Sequence, residues 1–451
     1  MKADLAVRGG TVVTPGGAVR ADVGVAEGKI IAIGTDVRGV REIDAAGRIV
    51  LPGAIDAHVH MELPVRGDRS SDDFLSGTIA AAHGGVTTIV DFSVGSSETR
   101  LPEEIEARLE TAGKSVIDFT LHGEVVGWTL GNEREFAEAV ELGVRTFKFY
   151  TAYSRSGRMS DDGVLYAAFS AISRLGGTAM VHAENDAIIN ALTDGLARRR
   201  ELGMESLPKA RPVICEEEAI ARVALIARRT GVTLRIAHIS SADGLDAARA
   251  ARWDGTQLIA ETCPHYLLLD EGVYAQEDAH LYAAMPPLRT PLDNAALWNG
   301  IEDGTIDMVV TDHCPFTRAQ KHWTGSFLDL PYGLPGVETL LPLMYSAGVA
   351  TGGITVERLA ELVSSGPARA LGIYPRKGAI AVGSDADLVI IDPEKETEIA
   401  ADSLHMNCDF SPYEGMRVTG WPVVTISRGA VIVEDGKFYG EPGRGEFIPQ
   451  G

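Results

Sequence analysis

Short apolar runs separated by glycine turns open the chain, at residues 5–7, 11–13, 23–25, 30–33 and 48–51. They predict a meander of short strands over residues 1–50. Residues 375–451 share this texture, with apolar runs at 386–391, 423–428 and 430–433. The ends of compact chains tend to lie together, so the two segments are expected to pair into one small β-sandwich. Between them the texture changes to alternating strand-like and helix-like segments. Apolar runs at 53–59, 86–92, 118–125, 144–150, 178–182, 233–239, 257–261 and 306–311 predict eight strands. Helical segments intervene, among them 72–83, 103–112, 133–142, 216–229 and 242–252. The expected fold class is α/β, a (β/α)8 barrel over residues 51–374 with the β-sandwich built from 1–50 and 375–451.

Composition narrows the partners. The chain has 451 residues, 45% of them hydrophobic, enough for a large core without disulfides. Asp plus Glu number 63 against 41 Lys plus Arg, a formal net charge of −22. Such a surface repels phosphate backbones and anionic lipid, so neither nucleic acid nor a membrane is expected as a partner. Cys215, Cys263, Cys314 and Cys408 show no CxxC spacing, which argues against a disulfide framework and a zinc ribbon. With no signal-peptide run near the start and no stretch approaching ~18 uninterrupted apolar residues, the expectation is a cytoplasmic protein.

The ends of the predicted strands carry the chemistry, since reactive groups of such barrels sit on the C-terminal face. The first ends in Asp56-Ala57-His58-Val59-His60, and two histidines at i and i+2 on a strand point to one side, where both can reach one metal. The fourth carries Lys148, followed by Phe149 and Tyr150; the fifth ends at His182, the sixth at His238 and the eighth at Asp312. Each has a plainer reading: a structural histidine, a capping aspartate, a lysine snorkelling to solvent. Yet four of the chain's 11 histidines fall at these strand ends, and independent structural explanations would have to coincide there. Four His, one Asp and one Lys suit two divalent cations of borderline softness, zinc first, with manganese or cobalt as alternatives. Lys148, between Phe147 and Phe149, is poorly solvated, which favours its neutral amine. A neutral amine can add CO2 to give a carbamate able to bridge two metals.

This set, with VLPGAIDAHVHMELP (50–64), SDDF (71–74), FKFYTAY (147–153), HAEN (182–185), ETCPHYL (261–267), PPLR (286–289), TDHCPF (311–316) and EGMRVTGWPVVTIS (414–427), resembles the amidohydrolase superfamily. Within it, the similarity is to the cyclic-amidase branch of dihydropyrimidinases, hydantoinases and allantoinases, and it runs end to end. The resemblance implies the barrel, the two-ended sandwich and a binuclear centre. His58, His60 and Asp312 would hold one metal, His182 and His238 the other, with carboxylated Lys148 and a hydroxide bridging them. The reaction implied is ring opening of a dihydropyrimidine or 5-substituted hydantoin to an N-carbamoyl amino acid. Asp312 would act as general base and then acid. Tyr153, on pattern alone a packing aromatic, matches the family's oxyanion donor.

The resemblance also implies a homotetramer, and a substrate pocket in which Leu63, Val65 and Tyr150 face the ring substituent. All three are apolar or aromatic, which suits a hydrophobic substituent. Met285 and Tyr332 depart from the family pattern, which commonly has Ser before PPLR and Asn before the GxPG turn. Family members bind the cyclic amide there largely through backbone groups, so the departures reshape the pocket without abolishing it; either side chain could equally be packing on its neighbours. Allantoinase and L-selective hydantoinase are the alternatives on the same scaffold, and SDDF and Tyr153 favour the dihydropyrimidinase and D-hydantoinase reading. A non-catalytic relative would lack metal ligands, whereas all six positions are filled here. His83, His122, His265, His280, His313, His322 and His405 are expected to be structural or to support the ligands from behind.

Overall fold

The computed structural model describes residues 3–451. Strands Ala3–Thr14, Gly17–Ala26, Lys29–Gly34, Gly39–Asp44 and Ile49–Pro52 join Leu388–Glu398, Arg417–Ser427, Ala430–Glu434 and Lys437–Phe438 in one nine-stranded sheet. The two ends of the chain meet where Ile49–Pro52 pairs antiparallel with Leu388–Glu398, Leu388 opposite Pro52 and Ile391 opposite Ile49. Val7, Val12, Val23, Val50, Leu388, Ile390 and Ile426 form a core of this sheet separate from that of the barrel. The runs at 5–7 and 11–13 are one strand rather than two. Its register shifts between Val7 and Gly10, where Gly9 (φ 70°) takes a left-handed conformation and donates its N–H to Asp22 at 2.7 Å.

The barrel strands are Ala54–Asp56, Val86–Phe92, Asp118–Glu124, Thr146–Tyr150, Thr178–His182, Thr233–Ile236, Leu258–Thr262 and Met308–Val309, parallel and in chain order. Closure is made by the ends. Thr311 donates its N–H to the Asp56 carboxylate at 3.0 Å, and His60 donates its N–H to the His313 carbonyl at 2.7 Å. The first, sixth and eighth strands stop short of the predicted runs: regular pairing ends there, and single bonds such as Val59 N–H to the Val90 carbonyl, Ala237 N–H to Val181 and Val310 N–H to Thr262 carry the chain on to the barrel's mouth. His58 and His60 lie beyond Asp56, His238 beyond Ile236 and Asp312 beyond Val309. His238 and Asp312 have positive φ, 38° and 51°, a conformation that costs energy in non-glycine residues and clusters at functional sites.

Helices pack outside. Asp73 caps the helix Phe74–His83 in a capping box with Ser76, which gives SDDF a structural job. Its neighbour Asp72, fully buried, faces His313 Nε2 at 3.1 Å and accepts from the Asn407 N–H at 2.9 Å. No helix among the described residues is long and apolar enough to cross a membrane.

Candidate active site

Lys148 lies in the fourth barrel strand, in register with Glu124 on one side and Met180 on the other, and Tyr150 is level with His182. These pairings bring together side chains far apart in sequence. His58 Nε2 and His60 Nε2 lie 3.2 and 3.1 Å from the same oxygen, Oδ1 of Asp312. On the opposite side, His182 Nδ1 faces His238 Nε2 at 3.1 Å. The Lys148 amine is buried against the rings of Phe92 and Tyr150, 5.4 and 5.5 Å from their centres.

Burial sets the protonation of this cluster. It pushes His58 and His238 well below the usual histidine value, lowers His182 too, and so favours neutral imidazoles that can serve as ligands. It also pushes the Lys148 amine down to about 8, against the pull of Glu261 and Asp312. Burial alone would raise the Asp312 carboxyl, but the His60 hydrogen bond and nearby positive groups hold it down to about 2.

The residues fit divalent cations. Two mostly neutral imidazole nitrogens facing each other at 3.1 Å share at most one proton, so the contact is poor in donors, and a cation satisfies both lone pairs. In His58 and His182 the nitrogen turned away from the centre is fixed from behind. His58 Nδ1 donates to Glu261 at 2.6 Å, and His182 Nε2 donates to Glu184 at 2.7 Å. Glu261 is clamped in turn by Arg235, and Glu184 by Arg211, all four buried. This is how metal-ligating histidines are held in one tautomer. The signals for the two glutamates were faint but present. Glu184 stands two residues after His182, and Glu261 lies near the end of the seventh strand, one of three from which the sequence drew no ligand or donor. Arg211 and Arg235 carried no signal.

A cavity of about 680 Å³ opens over this cluster. Its wall includes every predicted site residue: His58, His60, Leu63, Val65, Lys148, Tyr150, Tyr153, His182, His238, Met285, Asp312 and Tyr332. Tyr153, in a left-handed conformation (φ 72°), donates its hydroxyl to the Met285 sulfur at 3.5 Å. A thioether is a weak acceptor, so this hydroxyl is readily transferred to a better one. Burial raises the Tyr153 phenol above its usual value, which keeps it a donor. The Arg211 guanidinium lies 5.2 Å from its ring centre. The Tyr332 hydroxyl is committed to the Phe327 carbonyl, and the Tyr150 hydroxyl to Glu124. The pocket thus meets the ring faces of both tyrosines while their polar tips are tied elsewhere.

Of the other histidines, His313 bridges Asp72 and the backbone N–H groups of Gly336 and Val337, at 3.1 and 3.3 Å from its Nδ1. His122 Nε2 faces the Ala57 carbonyl at 3.1 Å, and His83 stacks on His405.

The amidohydrolase family matches residues 49–432. The chain is 42% identical to a D-phenylhydantoinase of Escherichia coli, over 98% of this chain and 97% of that one. It superposes on a dihydropyrimidinase from Brevibacillus agri with a TM-score of 0.96 at 35% identity, covering 100% of this chain and 99% of that one. An L-hydantoinase (dihydropyrimidinase) from Arthrobacter aurescens gives a TM-score of 0.91 at 33% identity, covering 99% and 100%.

Proposed function

The chain belongs to the amidohydrolase family, as a cyclic amidohydrolase of the hydantoinase and dihydropyrimidinase type, and from that premise we propose that it adds water across a ring C–N bond of a dihydropyrimidine or a 5-substituted hydantoin. The carbonyl carbon gains the water oxygen, the ring nitrogen leaves with a proton, and the product is an N-carbamoyl amino acid. The observation that carries this reading is the convergence of four histidines, Asp312 and Lys148 at the mouth of the barrel, under a cavity of ligand size.

His58, His60 and Asp312 would hold one divalent ion, His182 and His238 the other, and Lys148, carboxylated by CO2, would span both; zinc suits this donor set best, with manganese or cobalt as alternatives. Bound there, the ions would acidify the attacking water and polarise the carbonyl under attack. Asp312, held ionised, takes the proton from the attacking water and passes it to the departing nitrogen. Tyr153 turns its hydroxyl from Met285 to the developing oxyanion. Leu63, Val65, Phe327, Leu328 and the ring of Tyr150 offer an apolar wall to the ring substituent. The division into 51–374 as catalytic barrel and 1–50 with 375–451 as sandwich, a homotetrameric assembly and a cytoplasmic location belong to the same proposal.

The test is ring opening of dihydrouracil, racemic 5-substituted hydantoins and allantoin by metal-replete protein, with and without a chelator. Chelator-sensitive turnover of the first two is expected, and chiral analysis then reports the enantiopreference. Turnover of allantoin alone would overturn the substrate assignment.

A further inference from the structure

Lys321 is fully buried, yet no carboxylate among the described residues lies within salt-bridge distance of it. Its Nζ donates to the carbonyls of Leu281 and Ala283, each at 3.1 Å, and lies 5.9 Å from the centre of the Phe410 ring. Burying an ammonium without a counter-ion is expensive, and burial pushes this amine down to about 7. The two carbonyls compensate it only in part. A leucine or methionine would fill the same space without that cost, so packing does not account for a lysine here.

What the amine holds lies next to the pocket. The Ala283 carbonyl also accepts the Gly333 N–H at 3.0 Å, so one oxygen joins Lys321 to two chain segments. One segment runs to Met285, two residues on; the other begins beside Tyr332, and both residues line the cavity. Gly333 itself (φ 144°) sits where a Cβ would lie 2.3 Å from the Cys314 carbonyl, so its backbone is pressed against the segment that follows Asp312. The polar tips of the two pocket residues do not join the segments: the Met285 sulfur accepts from Tyr153, and the Tyr332 hydroxyl donates to the Phe327 carbonyl.

We propose that Lys321 is a positioning residue for substrate binding, whose amine fixes the 281–285 and 332–333 backbones at the separation the cyclic amide requires. This rests on the ring-opening function proposed above, together with the binding of the cyclic amide through backbone groups near Met285 and Tyr332 that the family resemblance implies. Lys321 touches neither substrate nor metal site, so it sets ground-state binding rather than the chemical step.

Lys321→Met keeps the length and apolar volume of the side chain and removes its donors, whereas Lys321→Gln keeps two. For the cyclic amide turned over best, Lys321→Met should raise KM about tenfold, the scale of one lost charge-assisted hydrogen bond. Metal content and kcat should stay within about twofold, and Lys321→Gln should recover part of the lost affinity. Hydrogen exchange at the Gly333 amide should accelerate in Lys321→Met, while amides of the nine-stranded sheet keep their protection. A purely structural lysine would instead lower the thermal midpoint and the active fraction with KM and Gly333 exchange unchanged, and that result overturns the proposal. If the wild-type protein opens no cyclic amide, the functional reading fails, and the exchange measurement still decides whether Lys321 holds the two segments.

Discussion

Glu261 accepts a hydrogen bond from His58 Nδ1 at 2.6 Å while Arg235 grips the same carboxylate, so a glutamate that no solvent reaches dictates which nitrogen His58 offers to the barrel's mouth. The arrangement ties the seventh strand to the proposed metal centre although it supplies no candidate ligand. Glu184 does the same for His182 through Arg211.

Glu261→Gln leaves the volume unchanged and removes the charge that raises the basicity of His58. Metal retention should fall about 10–100-fold with the fold intact. Titrating the loaded protein with a chelator while following metal content checks this. Unchanged retention would reduce Glu261 to a partner for Arg235.

Lys148→Ala removes the proposed carbamate bridge. Both metal content and turnover should collapse, as measured on protein purified with excess divalent metal and bicarbonate. Near-wild-type activity under those conditions would sink the bridge assignment.

Tyr153→Phe deletes one hydroxyl whose resting partner is the Met285 sulfur. A loss in kcat of roughly 10²–10³ is expected, the scale of one oxyanion donor. Steady-state kinetics on one hydantoin suffice, and a change confined to KM would refute the role.

His83 supplies a pH dependence remote from the metal ligands. It is buried, its ring stacks on His405 with centroids 3.4 Å apart, and burial first, then the His405 charge, pushes its pKa down from 6.5 to about 4. Glu338, 2.8 Å from His405 Nδ1, pulls His405 the other way. With a depressed folded-state pKa, the stability contributed by neutral His83 is present above 6.5 and is lost as pH falls toward 4. His83→Phe keeps an aromatic stack without the titrating group. Its urea midpoint should therefore fall less than that of the wild type between about pH 7 and about pH 5. Parallel acid limbs for the two proteins would exclude His83 as the titrating group.

The barrel was legible in the sequence because its strands, closed in by helices, are continuous apolar runs that differ from the amphipathic segments between them. The runs at 86–92 and 178–182 coincide with the strands Val86–Phe92 and Thr178–His182, and the first helix ends at His83 as expected. Strand ends at the mouth were overestimated for a physical reason. Residues 57–60, 237–239 and 310–312 remain apolar enough to read as strand, but they keep only single backbone hydrogen bonds to their neighbours, and the positive φ of His238 and Asp312 is only weakly signalled by residue type.

The residues that converge at the mouth were legible as candidate ligands because metal chemistry restricts residue types, and a strand end restricts where they stand. The supporting groups were not. Arg211, Arg235 and Lys321 look like ordinary basic residues of a soluble chain, and only their burial shows otherwise. The sequence by itself determined the fold class and the metal-ligand candidates, since local periodicity and donor identity are properties of short segments. Tertiary structure alone decided which nitrogen His58 and His182 turn inward, which carboxylate holds each there, and which buried amine shares the Ala283 carbonyl with the Gly333 N–H. Those are contacts between segments distant along the chain, set by how the strands come into register.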